Sequence, residues 1–221
     1  MKKLMFLCIP FLLVNCNQKE NKKETEEVIP AEEIAIEEPP VDLKVAVFAE
    51  GCYWCTEYVF EAIPGVETVV SGFTGGNKDN LDYNKVVKGE PRHAEGVQIF
   101  YDENVVSFEE LVNVFFASHD PTTVNQQGPD KGEEYRSIAF YTTEEERQSI
   151  VAKIAKLTAE KAFDKPIVTE VKLFETFLPV KEEQQDYIKK NPNDPYVISE
   201  SIPRINRFVA KYKGKLKKAQ Y

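Results

Sequence analysis

The chain has 221 residues, 42% of them hydrophobic, and a formal charge of −9 at pH 7. That length and composition fit one globular domain of about 150–200 residues with its own core. The acidic balance argues against a nucleic-acid partner, which would need clustered Lys and Arg against phosphate; the one basic run, Lys211 to Lys218, reads as a frayed, solvated tail.

Met1-Lys2-Lys3 is followed by an apolar stretch, Leu4 to Val14, which at about eleven residues is too short to span a bilayer. It ends in Leu13-Val14-Asn15-Cys16, which resembles the lipobox of bacterial lipoprotein signals, with Asn15 where Gly or Ala is usual. Residues 1–15 are therefore expected to be a signal peptide. Cys16 is expected to be lipidated and to become the first residue of the mature chain, exported and membrane-anchored in a bacterial cell envelope, facing the periplasm. An ordinary or uncleaved signal would export the chain too. Residues 16–42 form an acidic tether: from residue 17 on it holds nine acids, three lysines and no aromatics. Such a stretch buries too little apolar surface to offset ordering entropy, and its like charges extend it. Cys8 lies in the signal and Cys16 would carry lipid, so Cys52 and Cys55 are left as the one possible intramolecular redox pair.

The domain is placed at residues 43–207, with a basic tail over 208–221. Lys44 to Ala49 is a buried-strand run broken by Gly51, and Cys52 to Ala62 has helical spacing ended by Pro64-Gly65. Strands are predicted at Glu67 to Gly75, Ala94 to Tyr101, Tyr135 to Tyr141 and Val168 to Phe174. Capping boxes at Ser107/Glu110 and Thr143/Glu146 open helices running to about Ser118 and about Phe163. A last helix is predicted over Lys181 to Lys190, stopped by Pro192. Strands and helices mix without strict alternation, which predicts an α+β fold: a two-layer α/β sandwich, its mixed sheet flanked by helices in a ferredoxin-like arrangement.

Gly51-Cys52-Tyr53-Trp54-Cys55 carries the chemistry. A cysteine in the first turn of a helix faces unpaired N–H groups and the positive end of the dipole, which favour the nucleophilic thiolate, so Cys52 is the reactive candidate. Cys55 lies one turn on, about 5–6 Å away between Cβ atoms, whereas a disulfide needs about 3.8 Å; closing it would distort the turn, which suits a transient bridge. A zinc clip would need two further ligands, and His93 and His119 are not in a finger pattern. A static disulfide over so short a loop stabilises little. A thioredoxin-like thiol-disulfide oxidoreductase is the serious rival, since C-x-x-C after a strand is its signature. In His93-Ala94-Glu95-Gly96-Val97-Gln98-Ile99, strand alternation puts Glu95 on the face of Val97 and Ile99. Desolvated there, the carboxyl would keep its proton and could act as a general acid beside a thiolate; at a strand end it could equally bend to solvent.

These residues, with Gly65-Val66, Ser71-Gly72-Phe73-Thr74-Gly75-Gly76, Tyr83, His119-Asp120-Pro121 and Gly132-Glu133-Glu134-Tyr135-Arg136-Ser137, resemble the A-type peptide-methionine sulfoxide reductases over about residues 43–207. The resemblance implies reduction of methionine S-sulfoxide, free or in proteins. Cys52 would attack the sulfoxide sulfur and Glu95 would protonate the oxygen. Tyr83 and Tyr135 would hydrogen-bond that oxygen, Tyr53 and Trp54 would hold the S-methyl group, and Asp130 would support the site. It implies no bound cofactor, an external dithiol reductant such as thioredoxin or a periplasmic equivalent, and a monomer. Tyr53 replaces the usual phenylalanine, Pro129 and Glu134 replace Asn and Gln, and Gln184 replaces a familiar histidine. The distal recycling cysteines are lacking, which leaves Cys55 as the candidate to resolve a Cys52 sulfenic acid.

Overall fold

The computed structural model describes residues 42–77, 82–88 and 92–218. The expected signal peptide, Cys16 and all but the last residue of the tether lie outside them. In chain order the elements are β1 (Lys44–Glu50), α1 (Tyr53–Glu61), β2 (Val66–Thr74), α2 (Tyr83–Val86), β3 (Ala94–Tyr101) and α3 (Phe108–Ser118). A small hairpin of β4 (Gln126–Gln127) and β5 (Asp130–Lys131) follows, then a 3-10 turn, Glu133–Tyr135. The second half comprises β6 (Ser137–Tyr141), α4 (Glu144–Ala159), β7 (Glu170–Leu173), β8 (Phe177–Pro179), α5 (Tyr187–Lys190) and α6 (Ile202–Lys211).

The main sheet has the order β7-β6-β1-β3-β2-β8. Its middle four strands, β6-β1-β3-β2, with α1 and α3 as the crossovers, make the β-α-β-β-α-β ferredoxin-like motif. The β6–β7 pair is parallel and the other pairs are antiparallel, so the sheet is mixed as expected.

Strand β1 is apolar on both faces because both are covered. Ala46 and Phe48 point to the main core under α1 and α3, while Val47 and Ala49 join Ala94, Ile138, Phe140 and Phe177 on the other side. Phe48 is fully buried and stacks on Phe60 of α1 at 5.4 Å and Phe115 of α3 at 5.0 Å, pinning both helices to the strand that leads into Cys52.

Several expectations change on contact with tertiary structure. The Thr143/Glu146 capping box forms in full, but at α3 only Ser107 caps: the Glu110 carboxylate accepts from Asn113 and from the Tyr212 hydroxyl instead. Helix α4 ends at Ala159. The helix predicted over Lys181 to Lys190 is a 3-10 turn, Glu182–Gln184, and then the short α5, separated at Asp186 by a left-handed φ of 54°. The tail is not frayed within the described residues. Helix α6 runs through the expected boundary at 207, Tyr212 and Leu216 pack on the core, and Lys217 donates from its backbone to Ala62 O and from Nζ to Val66 O, both at 2.7 Å.

Candidate active site

Gly51 makes the turn between β1 and α1 at a φ of 96°, a conformation that favours glycine. Cys52 is the N-cap residue of α1, and Cys55 lies one turn in; both are free thiols and both are buried. On β3, alternation puts Glu95 on the face of Val97 and Ile99, under α1, as expected. Its Oε2 accepts from the Tyr53 N–H at 3.0 Å, so the carboxyl occupies one of the unpaired donors at the helix start, next to Cys52.

The two sulfurs share a proton. Cys55 is lowered to about 6, first by the hydrogen bond from the Cys52 thiol and then, against burial, by Arg204 and Ser201. Cys52 is raised well above its ordinary value by that same pairing, then by burial and by Glu95. In the resting pair the charge therefore rests on Cys55, whereas the helix-start argument alone placed it on Cys52. The pair titrates as a unit, so loss of one proton leaves a thiolate to which either sulfur has access. Glu95 is pushed up to about 8, first by burial, against the Tyr53 N–H, with Asp130, Glu134 and Cys55 adding repulsion. It holds its proton at neutral pH.

The remaining sequence-predicted residues gather around this centre. Tyr53 sits edge-on to Phe73 at 5.8 Å and to Trp54 at 6.0 Å. Burial and the nearby charges of Glu95 and Cys52 push the Tyr53 phenol up, and they do the same to Tyr135, which the 3-10 turn brings in. Both hydroxyls thus stay protonated and able to donate. Tyr83 reaches the same neighbourhood, and its hydroxyl accepts from the Lys181 N–H at 3.4 Å. Asp130 enters on β5.

Four neighbours were not read from the sequence. Tyr187 stacks flat on Trp54, with centroids 3.8 Å apart. Tyr196 meets Trp54 edge-on at 5.9 Å, donates to Asp130 Oδ2 at 2.5 Å, and is pushed up by burial and by the charge of Cys52. Ser201 faces Cys55 without meeting the geometry of a full hydrogen bond, and Arg204 lies beside both sulfurs. All four come from the segment after β8. That segment is tied to α1 and β2 by Gln185, which pairs with the Ser71 backbone, and by Glu57, which accepts from the Asp186 N–H at 3.0 Å. A legible signal was present: Arg204 falls on the buried stripe Val197, Ser201, Ile205, Phe208, an odd place for a cation without a task.

His93 and His119 are buried apart from the sulfurs. His93 packs against Gly76, and His119 Nδ1 donates to Phe115 O at 2.7 Å. Among the described residues no group of three or more His, Cys, Asp or Glu is placed to hold a metal ion.

Paired thiols sharing a proton, beside a neutral, half-buried acid and under an aromatic wall, make this a thiol-dependent oxidoreductase site. Comparison with known proteins narrows the class. The chain matches the family model for peptide methionine sulfoxide reductase over residues 44–217. It is 43% identical over 173 residues to the peptide methionine sulfoxide reductase MsrA of Nautilia profundicola, covering 78% of this chain and 98% of that one. Identity is also 43% over 173 residues to peptide methionine sulfoxide reductase MsrA 2 of Synechocystis, covering 78% and 81%. Among solved structures, reduced Mxr1 from Saccharomyces cerevisiae aligns with a TM-score of 0.64 at 29% identity, covering 70% of this chain and 89% of that one. Methionine sulfoxide reductase A of Corynebacterium diphtheriae aligns at 0.61 and 30% identity, covering 70% and 78%. The chain belongs to the peptide methionine sulfoxide reductase family, and its activity is the thiol-dependent reduction of methionine sulfoxide.

Proposed function

We propose that Cys52 is the nucleophile for the S-epimer of methionine sulfoxide, free or in proteins, and that Glu95 is its general acid. The observation that carries this is the Glu95 carboxyl, neutral and held against the Tyr53 N–H one residue from Cys52. Cys52 as thiolate attacks the sulfoxide sulfur while the oxygen takes the Glu95 proton. The hydroxyl passes to Cys52 as the thioether leaves, giving methionine, a Cys52 sulfenic acid and a Glu95 carboxylate. Tyr83 and Tyr135 donate to the oxygen as its charge grows, and Tyr53 and Trp54 form the wall for the S-methyl group. Asp130 holds Tyr196 in place over the sulfurs. Cys55 then attacks the sulfenic acid, water leaves, and an external thioredoxin-like dithiol reopens the Cys52–Cys55 disulfide.

The leader and tether readings join this one. Lipidated at Cys16 and held off the bacterial envelope by residues 16–42, a monomeric periplasm-facing enzyme would repair oxidised envelope proteins. Lipid labelling lost in Cys16→Ser would support the anchor, and unchanged labelling would remove it.

Supplied with racemic methyl p-tolyl sulfoxide and a dithiol, the protein is expected to consume one enantiomer, and Cys52→Ser to consume neither. Reduction of insulin disulfides with no sulfoxide loss would favour the thioredoxin-like oxidoreductase reading instead. Full turnover of Cys55→Ser with a thioredoxin-like reductant would remove Cys55 from the cycle.

A further inference from the structure

Arg204 is a buried cation that feels the Glu50 carboxylate only through space. It is 9% exposed, and among the described residues no Asp or Glu makes an ion pair with it. Its Nη2 donates to the Glu50 carbonyl at 2.7 Å, which brings the guanidinium against the turn that delivers the two cysteines. Only a glycine lets it approach so closely: a Cβ on Gly51 would lie 2.7 Å from Nη2. A guanidinium taken out of water needs an anion or a full set of acceptors. The two sulfurs are near enough to feel its charge, which favours the thiolate on Cys55 against burial.

The turn that presents Arg204 is braced from behind. The Glu50 side chain, 1% exposed, accepts from the Ser118 hydroxyl at 2.7 Å and lies 3.4 Å from His119 Nδ1. His119 Nε2 meets the Ser137 hydroxyl at 2.8 Å, and Ser137 meets Thr169 at 2.8 Å. This polar chain runs from the half-buried Thr169 to the carboxylate of the residue whose carbonyl receives Arg204. The other charged or titratable groups around the sulfurs are Glu95 on β3, Asp130 on β5, Glu134 and Tyr135 in the 3-10 turn, Tyr53 on α1 and Tyr196 before α6. None of these is a cation.

We propose that Arg204 is the counter-ion of the resolving sulfur, holding Cys55 as a thiolate aimed at Cys52, with Glu50 as the brace that keeps the guanidinium in place. This rests on the roles of Cys52 and Cys55 proposed above. After the thioether leaves, the Cys55 thiolate attacks the Cys52 sulfur. The S–S bond forms, the S–O bond breaks, and hydroxide departs with the proton lost by Cys55 as one water; the Cys55 sulfur is oxidised as the Cys52 sulfenic sulfur is reduced, and the pair ends as a disulfide. Arg204 acts directly on this second step and touches oxygen transfer only through the first deprotonation of the pair. Arg204 is a positioning residue.

The test uses the reduced protein and the variants Arg204→Met, Arg204→Gln, Arg204→Lys and Glu50→Gln. Ultraviolet thiolate absorbance, followed against pH, is expected to show the first deprotonation of the pair rising by about one to three units in Arg204→Met, and by less in Glu50→Gln and Arg204→Lys. In single-turnover mixing with methyl p-tolyl sulfoxide, Arg204→Met should still form one sulfide per protein. Its Cys52 sulfenic acid, trapped with dimedone, should persist about tenfold longer or more at neutral pH, with Lys restoring part of the closure rate. An unchanged titration with unchanged disulfide closure in Arg204→Met would overturn the proposal. Should that variant fail to fold, Arg204→Gln decides, because an unchanged titration and wild-type closure with the charge removed are equally fatal. A wild-type protein that forms no sulfide at all would instead sink the parent reading, while the absorbance titration still tests the counter-ion on its own.

Discussion

The sharpest test of the oxygen-transfer step is Glu95→Gln. The substitution keeps the size and planarity of the head group, and it keeps an oxygen able to accept the Tyr53 N–H at 3.0 Å. What it removes is the proton that burial, Asp130 and Glu134 hold on the carboxyl to about pH 8. A general acid contributes roughly 10²–10⁴-fold, which is roughly 2.7–5.4 kcal/mol of barrier, so the rate of sulfide formation should fall by that factor with little change in fold. The pH profile carries a second signature. In the wild type the rate should rise as the thiol pair loses its first proton near 6 and fall as Glu95 loses its own near 8. The variant should keep the rising limb and lose the falling one. Quenched-flow single turnovers with methyl p-tolyl sulfoxide report the chemical step free of the reductant. A variant within about threefold of the wild-type rate, or one that keeps the upper limb, would refute the assignment of Glu95.

Other positions give independent checks. Gly51→Ala forces a side chain into a φ of 96° and puts its Cβ 2.6 Å from that of Gln127; it should cost about 1–3 kcal/mol in urea unfolding and shift the thiolate titration, because Arg204 must move. Phe48→Ala empties the stack with Phe60 and Phe115 and should cost about 3–5 kcal/mol in the same assay. Glu57 is raised from its ordinary value to about 8, mainly by burial. The folded state therefore binds that proton more tightly than the unfolded chain, and stability falls as pH rises from 4.5 to about 8. Glu57→Gln should flatten that fall, seen as a smaller difference between urea midpoints measured at about pH 5 and about pH 8.

How much of this was legible depended on how local the cause was. Strand β3 and the inward face of Glu95 follow from a period of two over adjacent residues, and β1 followed by a glycine turn is equally local. The full capping box at Thr143 has the same character. Where a remote residue competes, the pattern misleads. Glu110 completes no box because Tyr212, 102 residues away, takes its carboxylate. The helix predicted over Lys181 to Lys190 breaks because Gln185 is claimed by Ser71 and the Asp186 N–H by Glu57, both more than 100 residues earlier. The site splits along the same line. Cys52, Cys55 and Glu95 sit on two elements whose patterns are strong. Tyr187, Tyr196, Ser201 and Arg204 arrive on a segment whose place is set by those remote contacts, and its one local clue was a cation on an apolar stripe.

The geometry also answers a problem that the chemistry poses. Oxygen transfer needs a sulfur that gives up its proton easily and, beside it, an acid that does not. A dry pocket serves the acid and works against the thiolate, since burial disfavours whichever form is charged. The protein separates the two demands by the sign of the neighbours. Asp130 and Glu134 stand near Glu95 and reinforce burial, whereas Arg204 stands near Cys55 and opposes it. The aromatic wall of Tyr53, Trp54, Tyr187 and Tyr196 can then exclude water from both groups. With the charges distributed this way, the same desolvation keeps the proton on the acid and strengthens the attraction between guanidinium and sulfur.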